Sequence, residues 1–420
     1  MKKVRIGVLG AYRGSSMISY CKKSDNAVVV AICDKWEEGL ERQKQINEGL
    51  DIAYYNNFDE FINHDMDAVV LANYANEHAP FAIRSLKKGL HVFSEVLPVQ
   101  TMKEAVELIE AIEESGKVYA YGENYCFMPV SREMRKLYQE GKLGELKYAE
   151  GEYIHDCSEI WHCLTYGERD HWRNNMYSTF YCTHSIGPVV HATKLRPVSV
   201  TGFELDPNGR ERGKRSGALG IEMVTFENGA ILRSCHGGLS QDNVWFNLYG
   251  TKGHIESMRK CLKDGDYNKV IVKVDGKDEI YMPNNDLAGD AGHGGSDFWS
   301  MYHFINKILG DENAETIDVY EALDMCMCGM FAYRSILKGG IPMQIPNLRN
   351  KEEREKWRND TACCDPKVAG DQLLPCHSRF DDRIPDEVYE NMRKKWIDEF
   401  NSKQGYSYRA FRPSDKNKIV

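Results

Sequence analysis

The sequence reads as an α/β protein with an N-terminal Rossmann domain on a parallel sheet, followed by an α+β domain on a large, open, mostly antiparallel sheet. Three observations carry that reading. Apolar runs of strand length alternate with amphipathic helical runs up to residue 122, and the first of these strands enters a glycine turn. From residue 146 onward, strand-like runs follow one another with few helices between them.

Strands are expected at 4–9, 27–33, 68–72, 91–94 and 118–122, with helices at 15–21, 36–46, 58–62, 79–88 and 102–115. Each strand is a short, nearly continuous apolar run, as expected where both faces of a sheet are covered. This first domain spans residues 1–123. A helix at 129–140 opens the second domain, 124–345. Strands at 146–155, 198–204, 220–226, 230–236, 243–249 and 270–274 build its sheet, and helices at 296–309 and 319–337 close it. Residues 346–420 are polar and charged and read as an extended tail with one helix near 386–401.

A formal charge of −9 gives no basic field for a phosphate backbone, which excludes nucleic acid as a partner. No run approaches the roughly 20 apolar residues of a membrane span, and the first residues enter a strand with no export signal, so a cytoplasmic enzyme is expected. An open sheet commonly pairs with its copy, so a homo-oligomer is expected. Eight of the thirteen cysteines (Cys21, Cys33, Cys126, Cys157, Cys163, Cys182, Cys235 and Cys261) are spread singly, as small buried residues in a reducing compartment. Cys326 with Cys328, and Cys363 and Cys364 with Cys376 and His377, lack the paired spacing of a zinc site, so no metal is expected.

The first strand runs through Gly7 and Gly10 into Ala11, Tyr12, Arg13, Gly14 and a helix, a turn that can present backbone amides and a helix terminus to a pyrophosphate. Tyr12 and Ser15 stand where the dinucleotide fingerprint has its second and third glycines. Asp34 ends the second strand, 24 residues after Gly10, where a carboxylate accepts hydrogen bonds from the adenosine ribose and repels a 2′-phosphate. The cofactor is therefore expected to be NAD. Arg13 is either a charge partner of the pyrophosphate or a solvated turn residue.

Later segments resemble the glucose-fructose oxidoreductase, inositol dehydrogenase and MocA-like (Gfo/Idh/MocA) sugar oxidoreductases. The carrying residues are Asp67-Ala68-Val69-Val70-Leu71-Ala72, His78-Ala79-Pro80, Gly89-Leu90-His91-Val92-Phe93-Ser94-Glu95, Gly141-Lys142-Leu143-Gly144-Glu145 and Tyr249-Gly250-Thr251-Lys252-Gly253. The resemblance covers roughly residues 1–345 and implies NAD(P) in the first domain, with substrate in the cleft against the second domain's sheet. It adds Asn73, His78 and Glu95 to Gly10, Tyr12, Arg13 and Asp34 as expected cofactor-binding residues, with His78 and Pro80 shaping the loop over the nicotinamide. The family follows the glutamate with a lysine that polarises the reacting hydroxyl. This chain has Val96 there, and valine cannot tune a proton.

The replacement resembles the NAD-dependent α-N-acetylgalactosaminidases (glycoside hydrolase family one hundred and nine). Three more segments do so: Glu123-Asn124 followed by the run from Tyr148 to Asp156, Tyr181-Cys182-Thr183-His184-Ser185-Ile186-Gly187-Pro188, and Gly292-His293-Gly294-Gly295-Ser296-Asp297-Phe298. Cys182 and Ser296 depart from that branch's proline and methionine. The resemblance implies oxidation at sugar C3, elimination of the aglycone, hydration and re-reduction, a route that needs no paired carboxylates.

His184 is then the expected acceptor of the hydroxyl proton, since imidazole titrates near neutrality. Tyr181 is a C2 base or a relay partner, and His293 is a third catalytic candidate. Glu123, Arg173, Tyr153 and His155 are expected at the substrate. His236, in a similar His-Gly-Gly run on a strand, reads as structural. Three functions follow: an NAD-dependent dehydrogenase oxidising a ring hydroxyl of a sugar or glycoside; a redox-neutral NAD-dependent glycosidase; and a noncatalytic NAD-binding protein.

Overall fold

The computed structural model describes residues 3–401 apart from 241, 260–265, 267, 290 and 381–382, so Cys261 lies outside the described residues, as does 402–420 of the expected tail. The described residues divide into two compact units, one within 3–124 and 287–322, the other within 125–286 and 323–401.

In the first unit, β1 (Val4–Leu9), β2 (Ala27–Cys33), β3 (Ala53–Tyr55), β4 (Ala68–Leu71), β5 (His91–Ser94) and β6 (Tyr119–Tyr121) form a parallel sheet in the order β3-β2-β1-β4-β5-β6. This is the doubly wound order, whose ligand crevice lies beyond the carboxyl ends of β1 and β4. The three-residue β3 was not expected, being too short to show a period. The helix Met102–Ser115 starts at a capping box, in which Thr101 accepts from the Glu104 amide and the Glu104 side chain reaches back, and it ends at Gly116 in a left-handed conformation.

One expectation is corrected. The helix Ser296–Ile308 was assigned to the second domain, yet Met301, Phe304 and Ile305 are fully buried in the first unit's core with Ile6, Val8, Met17 and Phe93. Its apolar stripe shows that it must cover a sheet but does not say which one.

In the second unit, β7 (Leu146–Ile154), β8 (Pro197–Glu204), β9 (Leu219–Phe226), β10 (Ile231–Gly237), β11 (Asn243–Gly250), β12 (Gly253–Ser257), β13 (Val270–Val274), β14 (Lys277–Tyr281) and β15 (Met343–Gln344) form one sheet in the order β14-β13-β12-β11-β7-β10-β9-β8-β15. Every pair is antiparallel except β7 with β10. The helices Pro129–Gln139 and Thr183–Thr193 pack on each other and on this sheet. The tail joins the same unit: Asp360 takes both terminal nitrogens of Arg334 at 2.8 and 2.6 Å, and Tyr333 donates to the Pro375 carbonyl at 2.6 Å.

Contact between the helix Thr183–Thr193 and the sheet is close because Gly151, on central strand β7, has no side chain. A Cβ there would stand 1.9 Å from the Ser185 carbonyl oxygen. A buried polar chain fastens the same turn. Ser185 Oγ lies 2.8 Å from Ser234 Oγ, Ser234 donates to Glu222 at 2.6 Å, and His236 Nε2 lies 2.8 Å from the other Glu222 oxygen. Replacing Gly151 by alanine should force helix and strand apart and lower stability by about 1–3 kcal/mol. Urea unfolding reads this directly, and an unchanged midpoint would show that the contact yields without cost.

Candidate functional site

The glycine turn is braced from both sides. Gly10 has φ +96°, and a Cβ there would stand 2.3 Å from the Ala72 carbonyl oxygen, so the turn closes directly onto the end of β4. The Ala11 amide donates to Asp34 Oδ2 at 2.7 Å, and its carbonyl accepts from buried Gln43 Nε2 at 2.9 Å. Asp34 Oδ1 accepts from the Trp36 amide at 2.9 Å. Burial raises the Asp34 carboxyl above its ordinary value, and these two backbone bonds oppose the rise.

The residues of this turn fit a dinucleotide. Among the described residues, no side chain caps the helix Ser15–Lys23; the Ser15 amide donates to the Tyr12 carbonyl at 3.2 Å, which leaves those of Ser16 and Met17 for a pyrophosphate. The Oδ1 atoms of Asn73 and Asn76, just past β4, are buried without a hydrogen-bond partner among the described residues. Asn73 Nδ2 donates to Glu77 at 3.1 Å. Tyr12 stands half-buried in the turn. His78, next along, is buried with Nδ1 2.8 Å from the Leu97 carbonyl, and burial pushes its imidazole down to about 4.

Arg13 is not a solvated turn residue, since its guanidinium meets two buried carboxyls. Its Nη1 and Nη2 donate to Asp297 Oδ2 and Oδ1 at 3.0 and 2.8 Å, and Nη2 also lies 2.6 Å from Glu95 Oε1. Asp297, 3% exposed, further accepts from Asn124 Nδ2 at 3.1 Å and lies 2.8 Å from His293 Nδ1. Burial alone would raise both carboxyls. Arg13 and His293 outweigh it at Asp297, whose carboxyl sits well below the usual range, whereas Glu95 stays raised by burial despite Arg13 and with Asp297 adding to the rise. Glu123, directly after β6, is fully buried.

The second unit gathers the other candidates. His184 lies in the first turn of its helix, buried, with the ring centroids of Tyr125, Tyr153 and Tyr181 at 4.4, 4.7 and 4.9 Å. Burial lifts the Tyr153 phenol well above its ordinary value, the neighbouring phenols of Tyr125 and Tyr181 add to this, and Arg173 opposes it. The Arg173 guanidinium lies over Trp172 at 4.3 Å and over Tyr181 at 5.3 Å. Its loop is held by Trp161 Nε1 donating to Asn174 at 2.9 Å. His155, 5.9 Å from Tyr153 between ring centroids, is raised by the Cys157 thiol and by Asp242, 3.2 Å away, with burial opposing. Two members were missed from sequence: Tyr125 and Trp172, both adjacent to residues singled out there.

The glycine turn, the strand order and Asp34 define an NAD-binding enzyme of the oxidoreductase class. Residues 4–123 match the family model described as oxidoreductase family, NAD-binding Rossmann fold (GFO_IDH_MocA), and residues 265–358 match the glycosyl hydrolase 109 C-terminal domain. The chain is 24% identical over 400 residues to glycosyl hydrolase family 109 protein 1 of Bacteroides thetaiotaomicron, covering 83% of this chain and 85% of that one. A family 109 protein of Shewanella pealeana is 28% identical over 399 residues, covering 83% and 86%. In fold it is similar to an Agrobacterium radiobacter oxidoreductase solved with NAD+, L-tartaric acid and magnesium (TM-score 0.69, 13% identity, covering 82% of this chain and 98% of that one) and to myo-inositol 2-dehydrogenase of Lactobacillus plantarum (TM-score 0.63, 17% identity, 82% and 100%). Among the described residues, no helix is long and apolar enough to cross a membrane.

Two predictions follow from the first unit. Arg13→Met removes the cation that balances two buried carboxylates and should cost about 3–5 kcal/mol, with Arg13→Lys retaining part of it. Denaturant midpoints of the two variants decide the matter, and equal midpoints for all three proteins would sink it. Since His78 titrates near 6.5 when unfolded and at about 4 when folded, only the unfolded chain takes up the proton between those values. Stability from this group is therefore complete above pH 6.5 and falls as pH drops toward 4, by up to about 3 kcal/mol. A His78→Gln variant should show a correspondingly shallower decline over that window than wild type.

Proposed function

We propose that the protein cleaves a glycoside by a redox-neutral, NAD-linked route whose first step oxidises a ring hydroxyl of the sugar. One observation carries the assignment of that step: a buried imidazole, His184, enclosed by three tyrosine rings in a chain that has Val96 where related oxidoreductases have their lysine. The matched C-terminal domain and the printed names of the relatives favour cleavage over net oxidation.

The chemistry selects C3. Expelling the substituent at C1 by elimination requires loss of the C2 proton, and a carbonyl at C3 is what acidifies that proton. Bound NAD supplies the hydride acceptor for the C3 carbon and the hydride donor that restores it. His184 takes the C3 hydroxyl proton and returns it at the end. Tyr181, as the phenolate that the Arg173 guanidinium over its ring stabilises, takes the C2 proton. The departing aglycone oxygen takes its proton from solvent, and His293 then accepts, on the Nε2 lone pair, the proton lost by the water that adds at C1 and returns it to solvent, while the C2 carbon regains its proton from Tyr181. Tyr153, His155 and Glu123 hold the remaining hydroxyls.

With NAD and a panel of nitrophenyl glycosides, we expect nitrophenol release without net NADH and, in D2O, deuterium in the product sugar at C2. Stoichiometric NADH with no nitrophenol would instead establish a sugar dehydrogenase. His184→Ala should lower kcat by about 10²–10⁴-fold while NAD binding, followed by tryptophan fluorescence, is kept. Full activity in that variant removes His184 from the mechanism.

A further inference from the structure

We propose that Asp297, held by Arg13, is a positioning residue that fixes the tautomer and orientation of His293, so that Nδ1 carries the proton and Nε2 is the working nitrogen. This deepens the assignment of His293 made above and rests on it for its functional consequence, though not for its geometry.

The argument begins with the carboxylate. Each Asp297 oxygen accepts one nitrogen of the same guanidinium, a two-pronged grip that sets the carboxylate plane and leaves little freedom to rotate. Asn124 Nδ2 adds a third donor on Oδ1 at 3.1 Å. What remains on Oδ2 is filled by His293 Nδ1 at 2.8 Å. An ionised carboxylate can only accept, so Nδ1 must donate. A neutral imidazole carries one N–H, and Nε2 is then left with its lone pair.

The backbone supports the same reading. His293 has φ +52°, a left-handed conformation that side chains with a Cβ seldom adopt, and it is followed by Gly294 and Gly295 at φ +65° and +89°. Strained backbone of this kind persists where the surroundings enforce it, commonly at functional sites. His293 and Asp297 are four residues apart, on the turn and first helical residues of one continuous segment, so the dyad is assembled locally. Arg13, from the glycine turn, then locks it from across the same unit. The His293 side chain keeps 35% of its surface exposed, while that of Asp297 keeps 3%, so the ring can meet a ligand and its partner cannot. An aspartate that is buried, ionised and hydrogen-bonded to one imidazole nitrogen orients the other nitrogen for proton transfer without itself titrating.

The test has two independent readouts. Long-range nitrogen–proton spectra of the 15N-labelled wild-type protein, with the His293 signals identified by their absence in His293→Gln, report the tautomer directly. We expect a protonated Nδ1 and a bare Nε2, with Asp297→Asn shifting the population toward the other tautomer. A wild-type His293 protonated mainly on Nε2 overturns the inference, even if Asp297→Asn does not fold. On the most active nitrophenyl glycoside, Asp297→Asn should lower kcat about 100-fold or more with KM within about threefold, and Arg13→Lys should fall between it and wild type. If the tautomer is as stated but kcat does not fall in Asp297→Asn, the positioning stands and the catalytic use of His293 in the proposed function fails.

Discussion

Most of the first unit's chemistry depends on how one buried charge is balanced. Asp297 is nearly inaccessible to water and ionised, and an unpaired carboxylate in that environment would cost several kcal/mol. Its compensation comes from the glycine turn, through Arg13, which also faces Glu95. Arg13 and His293 hold the Asp297 carboxyl well below its usual range against burial, whereas at Glu95 burial, with Asp297 adding to it, keeps the carboxyl raised despite Arg13. Charge balance at Glu95 thus comes from a residue 82 positions earlier and not from its chain neighbour, which is valine. A turn that would otherwise serve the nucleotide alone is mechanically coupled to the His293 segment.

The second unit solves a different problem, that of placing an imidazole among phenols at a defined depth. Gly151 lets the backbone of the helix Thr183–Thr193 approach the centre of the sheet, and the Ser185–Ser234–Glu222–His236 chain fastens the helix in that position. His184 sits beside the fastened residue, so a rigid backbone contact and not a flexible side chain sets its depth. Three tyrosine rings pack against it there, so the imidazole meets ring faces and edges on those sides.

Much of the framework was legible in the sequence, and the omissions have physical causes. Alternation of apolar strands with amphipathic helices identified five of the parallel strands because buried strands are continuous apolar runs, whereas Ala53–Tyr55 is three partly buried residues with no period to detect. The helix Ser296–Ile308 was recognised but assigned to the wrong sheet, since periodicity reveals that a face is buried and says nothing of its partner. His184, Tyr181, Tyr153, His155 and Arg173 were found one by one, and the fold brings them together. Asp297 was visible only as part of a motif. Its spacing of four from His293 was the available signal, while its pairing with Arg13 spans 284 residues and leaves no local trace.

The altered glycine fingerprint becomes intelligible on the same terms. A second glycine in such a turn normally lets the pyrophosphate approach the backbone closely. Here that stretch carries Tyr12 and Arg13, and the arginine side chain is committed to Asp297 and Glu95. The work of shaping the turn moves to its flanks, where Asp34 holds the Ala11 amide and Gln43 holds the Ala11 carbonyl. Asp34 is therefore a brace of the turn, since each of its oxygens accepts one backbone N–H. Moving the carboxylate would release the turn. The position of this carboxylate is consequently fixed by the brace of the turn itself, which is a stronger constraint than a lone acidic residue at the end of β2 would impose.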